Sequence, residues 1–203
     1  MTCRSPFLAC LLLVTSVRVD AQSMAARDDV DYQMRLLLHK QHEIGTRGWG
    51  MAGWWVLPDV TARPDRLRSL VLVGPLYRTP QRWLELMGGT LFRNDREAET
   101  LVNLRFAERG IPGLIALGDI EYYFNDRRLY WLLAAERRLL TWRGGALRGG
   151  VESENITFPD RRRDLFGIGP RVTLALPAAL GVTGAYQFRN DRDFVRAYVL
   201  LTL

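Results

Sequence analysis

The last eleven residues, Asp193-Phe194-Val195-Arg196-Ala197-Tyr198-Val199-Leu200-Leu201-Thr202-Leu203, decide the fold. Val195, Ala197, Val199, Leu201 and Leu203 fall on one face, while Phe194, Arg196, Tyr198 and Thr202 fall on the other. A period of two marks an extended strand, because successive side chains leave opposite faces of the pleat. The same alternation, in segments of about ten residues, fills most of the chain.

Working back from that segment, turn signals divide the chain into ten expected strands: Arg47 to Leu57, Arg66 to Tyr77, Arg82 to Arg93, Thr100 to Glu108, Gly113 to Phe124, Arg128 to Thr141, Ala146 to Asn155, Leu165 to Leu176, Leu180 to Arg189, and Asp193 to Leu203. An even number fits bacterial single-chain barrels whose two ends lie on one side. Links rich in Asp, Asn and Arg (59–65, 94–99, 125–127, 156–164, 190–192) alternate with short ones built on Pro or Gly (78–81, 109–112, 142–145, 177–179). A meander with two unlike ends shows this pattern. The near-copies Arg93-Asn94-Asp95-Arg96 and Arg189-Asn190-Asp191-Arg192 read first as turn chemistry, since Asn and Asp tolerate positive φ in tight hairpins. The sharper alternative is arginine contact with lipopolysaccharide phosphates.

Charge sorts the two faces. Apolar residues such as Leu84, Leu86, Val102, Leu104, Ile120, Leu133, Val151, Ile168, Val172 and Val182 share one face. The other carries Glu85, Arg105, Asp119, Glu121, Glu136, Arg138, Arg148, Glu152, Glu154, Arg171, Arg189 and Arg196, six acids and six bases whose equal number implies mutual neutralisation. In water the apolar face would turn inward, as in a lipocalin-like barrel. In an outer membrane the assignment inverts, with charges paired inside.

Three features favour the inversion. Arginine, whose fork matches carboxylates, almost entirely replaces lysine, Lys40 being the only one. The terminal strand resembles the insertion signal of outer-membrane barrels, although Leu203 stands where an aromatic usually ends it. Trp49, Trp54, Trp55, Tyr77, Trp83, Tyr122 and Trp142 collect near expected strand ends, as interfacial girdles require.

Residues 1–21 read as a signal peptide: Arg4 is followed by an apolar core from Pro6 to Val14, and cleavage is expected after Ala21. Cys10 offers a lipoprotein alternative, but the apolar core continues past it. Both cysteines, Cys3 and Cys10, then leave with the leader, so no disulfide, thiolate nucleophile or cysteine metal site is expected. Residues 22–46 are expected as a periplasmic segment. Asp28 and Asp29 would cap a helix over 28–44 with Val30, Met34, Leu37, Leu38 and Ile44 in one stripe. A strand from Tyr32 to Leu38 is the alternative and would raise the strand count.

Little in the pattern points to catalysis. His39 and His42, the only histidines, read as a surface pair, and no cluster at ligand spacing completes a metal site. The ten expected strands hold no histidine to act as general base. The i, i+2 pairs Asp119/Glu121 and Glu152/Glu154 read as salt-bridge partners rather than acid–base pairs. The net charge of +6 comes without an aromatic-basic nucleic-acid motif.

By architecture and pattern over 47–203, the chain resembles small bacterial outer-membrane β-barrel proteins, OmpA/OmpX-like or ten-stranded porin-like. The resemblance implies an all-β, antiparallel up-and-down transmembrane barrel in the outer membrane of a Gram-negative bacterium. Insertion by the barrel-assembly machinery and contact with lipopolysaccharide are its implied partnerships. A structural or narrow pore role is expected, with no enzyme activity and no cofactor; the alternative is a soluble secreted or periplasmic lipocalin-like barrel that binds an apolar ligand.

Overall fold

The structure, a computed structural model, describes residues 30–44, 47–61, 67–159 and 164–203, including every side chain there except those of 58–61. The expected leader, its cysteines and the cleavage site lie outside the described residues, as do Asp28 and Asp29.

Eleven strands form one closed barrel: β1 (Val30–Glu43), β2 (Trp49–Thr61), β3 (Arg68–Arg78), β4 (Arg82–Arg93), β5 (Glu99–Glu108), β6 (Leu114–Tyr123), β7 (Arg128–Trp142), β8 (Gly145–Thr157), β9 (Leu165–Leu176), β10 (Leu180–Arg189) and β11 (Asp193–Thr202). Consecutive strands pair antiparallel, as alternation broken by tight turns demands. The ten expected strands are present with their ends moved by a few residues at most, and β4, β9 and β10 match the expected bounds.

The eleventh strand corrects two expectations. Residues Val30–Glu43 are extended, not helical, and belong to the barrel rather than to a separate segment before it. β1 pairs antiparallel with β2 and parallel with β11, from Val30 beside Asp193 to His39 beside Thr202. It satisfies the backbone edges of both neighbours, which a helix could not do. The stripe Val30, Met34, Leu37, Leu38 mimics a helical period because Leu36, Leu37 and Leu38 are consecutive. In the strand, Leu37 turns inward against the core while Leu36 and Leu38 take the other face. An odd count also separates the ends: β1 starts beside Asp193 at the charged-loop end, whereas the Leu203 N–H donates to the His39 carbonyl at the short-turn end (2.7 Å).

Tight links use a chemistry the sequence reading assigned elsewhere. Among the described residues, positive φ outside glycine falls on Arg47, Arg127, Ala178 and Ala179, not on the loop Asn or Asp. Asn190 instead works through its side chain, accepting from the Phe166 N–H (3.0 Å) and donating to the Asp164 carbonyl (2.9 Å).

The faces sort as the inverted assignment requires. Val172 is 51% exposed and Leu86 57%, while their strand neighbours Arg171 and Glu85 are 4% and 0% exposed. On β4, Leu84, Leu86, Gly88, Thr90 and Phe92 point outward over about 27 Å of strand at roughly 3.4 Å per residue. Among the described side chains, the charges at outward strand positions are Lys40, Arg82, Glu108, Arg137 and Asp193; four lie within three residues of a strand end, and Arg137 pairs with Leu114, the first residue of β6. Outward polar side chains between them bond locally. Ser153 donates to the Gly167 carbonyl, Asn155 donates to Ser153, and Ser69 donates to the Val56 carbonyl.

Trp49, Tyr77 and Trp142 are exposed near the short turns, and Trp55 and Tyr122 toward the other end. Trp54 and Trp83 depart from the expected girdle, because both pack against the interior cluster. That interior is two-sided. Ala52, Val56, Leu70, Leu72, Leu76, Met87 and Leu91 make β2–β4 an apolar inner wall, whereas β8–β11 supply buried charge.

The backbone of β7 approaches Gly150 too closely to admit a side chain there. The glycine lies between Glu136 of β7 and Arg171 of β9, and a Cβ there would collide with the Ala135 carbonyl and stand 2.8 Å from the Glu136 Cα. Gly150→Ala is therefore expected to cost about 1–3 kcal/mol through overpacking. The check is the fraction of refolded protein that keeps folded-barrel mobility on unheated gels.

Candidate functional site

β8 carries three inward charged residues at steps of two or four, Arg148, Glu152 and Glu154, because a two-residue period repeats one face. Glu136 from β7, Arg171 from β9, Arg189 from β10 and Arg196 from β11 meet them. The result is one continuous chain of ion pairs: Arg189–Glu154–Arg196–Glu152–Arg171–Glu136–Arg148. Arg196 Nη1 lies 3.2 Å from Glu152 Oε1, and Arg171 Nε 2.5 Å from Glu136 Oε1. Neutral donors add to the carboxylates: Gln187 Nε2 donates to Glu152 Oε1 (2.6 Å) and Thr173 Oγ1 to Glu136 Oε1 (2.6 Å), while Glu136 Oε2 faces Arg148 at 3.9 Å without a hydrogen bond. A buried carboxylate is tolerable only when its oxygens are so partnered.

Glu85, Arg105, Asp119 and Glu121 form a second cluster across the lumen. Arg105 Nη2 is 3.0 Å from Asp119 and 3.8 Å from Glu121, with Asn103 donating to Asp119 and Tyr123 to Glu121. Glu85 accepts from His39 Nε2 (2.9 Å), Gln41 Nε2 (3.0 Å) and Trp54 Nε1 (2.7 Å). The Trp54 ring stacks on His39 at 3.9 Å and lies 4.2 Å from the Arg105 guanidinium, joining the two halves of the cluster.

Thus eleven of the twelve expected network residues gather into two clusters, and Arg138 does not. It is exposed, at the register shift between Arg138 and Leu140 where β7 loses its two-residue parity near the rim. His39 corrects the surface-pair reading: it is buried inside the barrel, while His42 is exposed. The mistaken helix over 28–44 hid it. Strand parity through Gln33, Arg35, Leu37, His39 and Gln41 is the signal that finds it.

A third group lies at the charged-loop rim. Glu99 accepts from Arg93 and Arg128 (both 3.1 Å), Arg128 also faces Asp126 at 3.3 Å, and its guanidinium covers the Tyr123 ring at 4.1 Å. At the opposite end, burial and then the neighbouring Arg148 and Arg78 lower the pKa of Arg109 in the β5–β6 turn.

Two cavities open the charged-loop half. One of about 370 Å³ lies above the two clusters, walled by Val56, Leu70, Leu91 and Phe194 and by Arg35 and Glu154, among others. The other, about 510 Å³, lies at the rim among Arg93, Arg96, Asp126, Phe158 and Pro159, and shares Arg68 and Arg128 with the first. Comparison with protein-family models and with curated proteins finds no match.

Proposed function

We propose that this chain is an outer-membrane β-barrel of a Gram-negative bacterium whose lumen is closed at mid-height by ion pairs, with a structural or narrow-pore role. The observation that carries the reading is the pairing of a charge-free apolar outer band with a buried, salt-bridged interior. In a hydrocarbon solvent this is the economical arrangement, since every backbone polar group is paired around a closed barrel and no charge meets lipid. In water it would expose apolar surface far beyond the few hundred Å² that soluble monomers usually tolerate in one patch.

The short-turn end faces the periplasm in this reading, because β11 and the short links end there. Charged loops then face outward, where Arg96 and its neighbours can meet lipopolysaccharide phosphates. β11, apolar on its outer face from Val195 to Leu201, serves as the strand that the barrel-assembly machinery recognises. The interior chemistry is charge pairing, so no reaction is assigned to it, and nucleic acid is not a partner.

A soluble barrel that binds an apolar ligand shares one feature with this structure, the apolar inner wall of β2–β4. Fractionation separates the readings. Recovery with outer membranes and heat-modifiable migration are expected, with only small or gated conductance in planar bilayers. Recovery in osmotic-shock fluid would favour the soluble barrel, and steady channels of general-porin size would contradict a closed lumen.

A further inference from the structure

We propose that the short-turn end of β5–β8 is a docking surface for an anionic glycerophospholipid, with phosphates held by Arg109, Arg137, Arg138 and Arg143 and acyl chains laid on Leu139, Leu140 and Trp142. The inference rests on the membrane reading above, which sets this end at the inner, phospholipid leaflet. Among the described residues none of the four guanidiniums has an ion-pair partner. The nearby acids are committed elsewhere. Glu108 accepts from Arg82 Nε and from the Gly110 N–H (2.6 Å), Glu136 turns into the lumen onto Arg171, and Glu43 closes β1, four strands from β5 around the wall. Beyond burial, what lowers the pKa of Arg109 is Arg148 and Arg78, both of its own sign.

A register shift shapes the apolar half of the surface. β7 carries one extra residue between Arg138 and Leu140, so Leu139 and Leu140 both reach the outer face: Leu139 covers Gly149, whose register partner is Arg137, and Leu140 pairs with Leu147. Trp142 lies over Gly145 on the same face. Leu139 and Leu140 are at least as exposed as Leu86 and continue the outer apolar band beyond Leu133 and Val151. Apolar side chains flanked by uncompensated arginines suit a lipid that carries acyl chains and a net negative head. The ammonium of phosphatidylcholine or phosphatidylethanolamine would be repelled by the same arginines. An acidic protein strand is the rival occupant, because β7 runs five residues past Arg137, the partner of the first residue of β6, and leaves that edge open. Such a strand would pair in the plane of the sheet and leave Leu139, Leu140 and Trp142, which stand off its outer face, bare.

The test is tryptophan quenching in phosphatidylcholine vesicles that hold the folded barrel and a minor share of brominated phosphatidylglycerol or, separately, of brominated phosphatidylcholine. The Trp142 signal is the difference between each chain and its Trp142→Phe counterpart. Brominated phosphatidylglycerol is expected to quench Trp142 as though enriched about fivefold or more over its bulk share. The triple variant Arg137→Gln/Arg138→Gln/Arg143→Gln is expected to return it to the bulk share, while Lys40→Gln on β1 leaves the enrichment unchanged. If the triple variant does not fold, Arg109→Gln with Arg143→Gln, both in turns, is expected to lower the enrichment about twofold or more. Equal quenching by the two brominated lipids would overturn the proposal and leave membrane insertion intact, as would an enrichment that survives both arginine variants. No quenching of any tryptophan by either lipid would remove the membrane reading and the docking surface together. Saturable binding of a polyglutamate peptide that needs the same arginines, with the two lipids quenching equally, would hand the surface to an acidic protein instead.

Discussion

Replacement of Arg196 with Ala is expected to lower the unfolding free energy of the barrel by about 3–5 kcal/mol, the cost of breaking a buried ion pair from one side. Arg196 is 1% exposed and bridges Glu152 to Glu154, so the truncation strips a partner from two carboxylates at once. Glu152 is wholly buried, and Glu154 is 3% exposed where it borders the cavity. Glu152 keeps Arg171 and Gln187, and Glu154 keeps Arg189. Those remaining contacts hold the loss to one pair's worth rather than two. Removing a carboxylate together with the arginine should recover part of the cost. Arg196→Met with Glu154→Gln is therefore expected to be more stable than the sum of the single changes by about 0.5–3 kcal/mol. Urea titration of tryptophan fluorescence in lipid vesicles measures both. An unchanged midpoint for Arg196→Ala would mean that the chain of ion pairs contributes nothing to the fold.

The residues legible in the sequence were those whose signal was parity. Along β4, β5 and β8 every second residue changes chemical character, so Glu85, Arg105 and Glu152 could be placed on one face without knowing what that face met. Parity cannot say which face is inside. Arginine in place of lysine, the alternation of the terminal strand and the aromatics near expected strand ends supplied that step, while six acids and six bases on one face implied only mutual neutralisation. The signal failed wherever parity was blurred. Three consecutive leucines concealed β1 and with it His39, whose imidazole sits on Trp54 and bonds Glu85. The register shift near Arg138 broke the count at the rim. Trp54 and Trp83 were misplaced for a different reason: an aromatic near a strand end satisfies either an interfacial girdle or an interior wall, and only the packed partners distinguish them. The cavity was invisible because its lining comes from at least eight strands whose mutual register no single segment encodes.

Val172→Arg is expected to separate lipid from water at the outer face. Val172 stands mid-strand on β9 between Gly149 and Gly184, half exposed, so the longer side chain has space in either solvent and no steric argument confuses the result. In a bilayer an arginine near the midplane of a barrel costs about 2–4 kcal/mol. The same substitution at an exposed position in water falls within about 0.5 kcal/mol of neutral. Leu86→Arg, on the opposite wall and similarly exposed, should repeat the penalty, whereas Ile111→Arg in the β5–β6 turn should be neutral in both cases. Assembly into outer membranes and the folded fraction in vesicles are the measurements. Should Val172→Arg and Leu86→Arg both fold as readily as the parent chain and turn up in soluble fractions, the apolar band is a solvent-facing surface after all. The buried ion pairs would then stabilise a barrel that water, not lipid, surrounds.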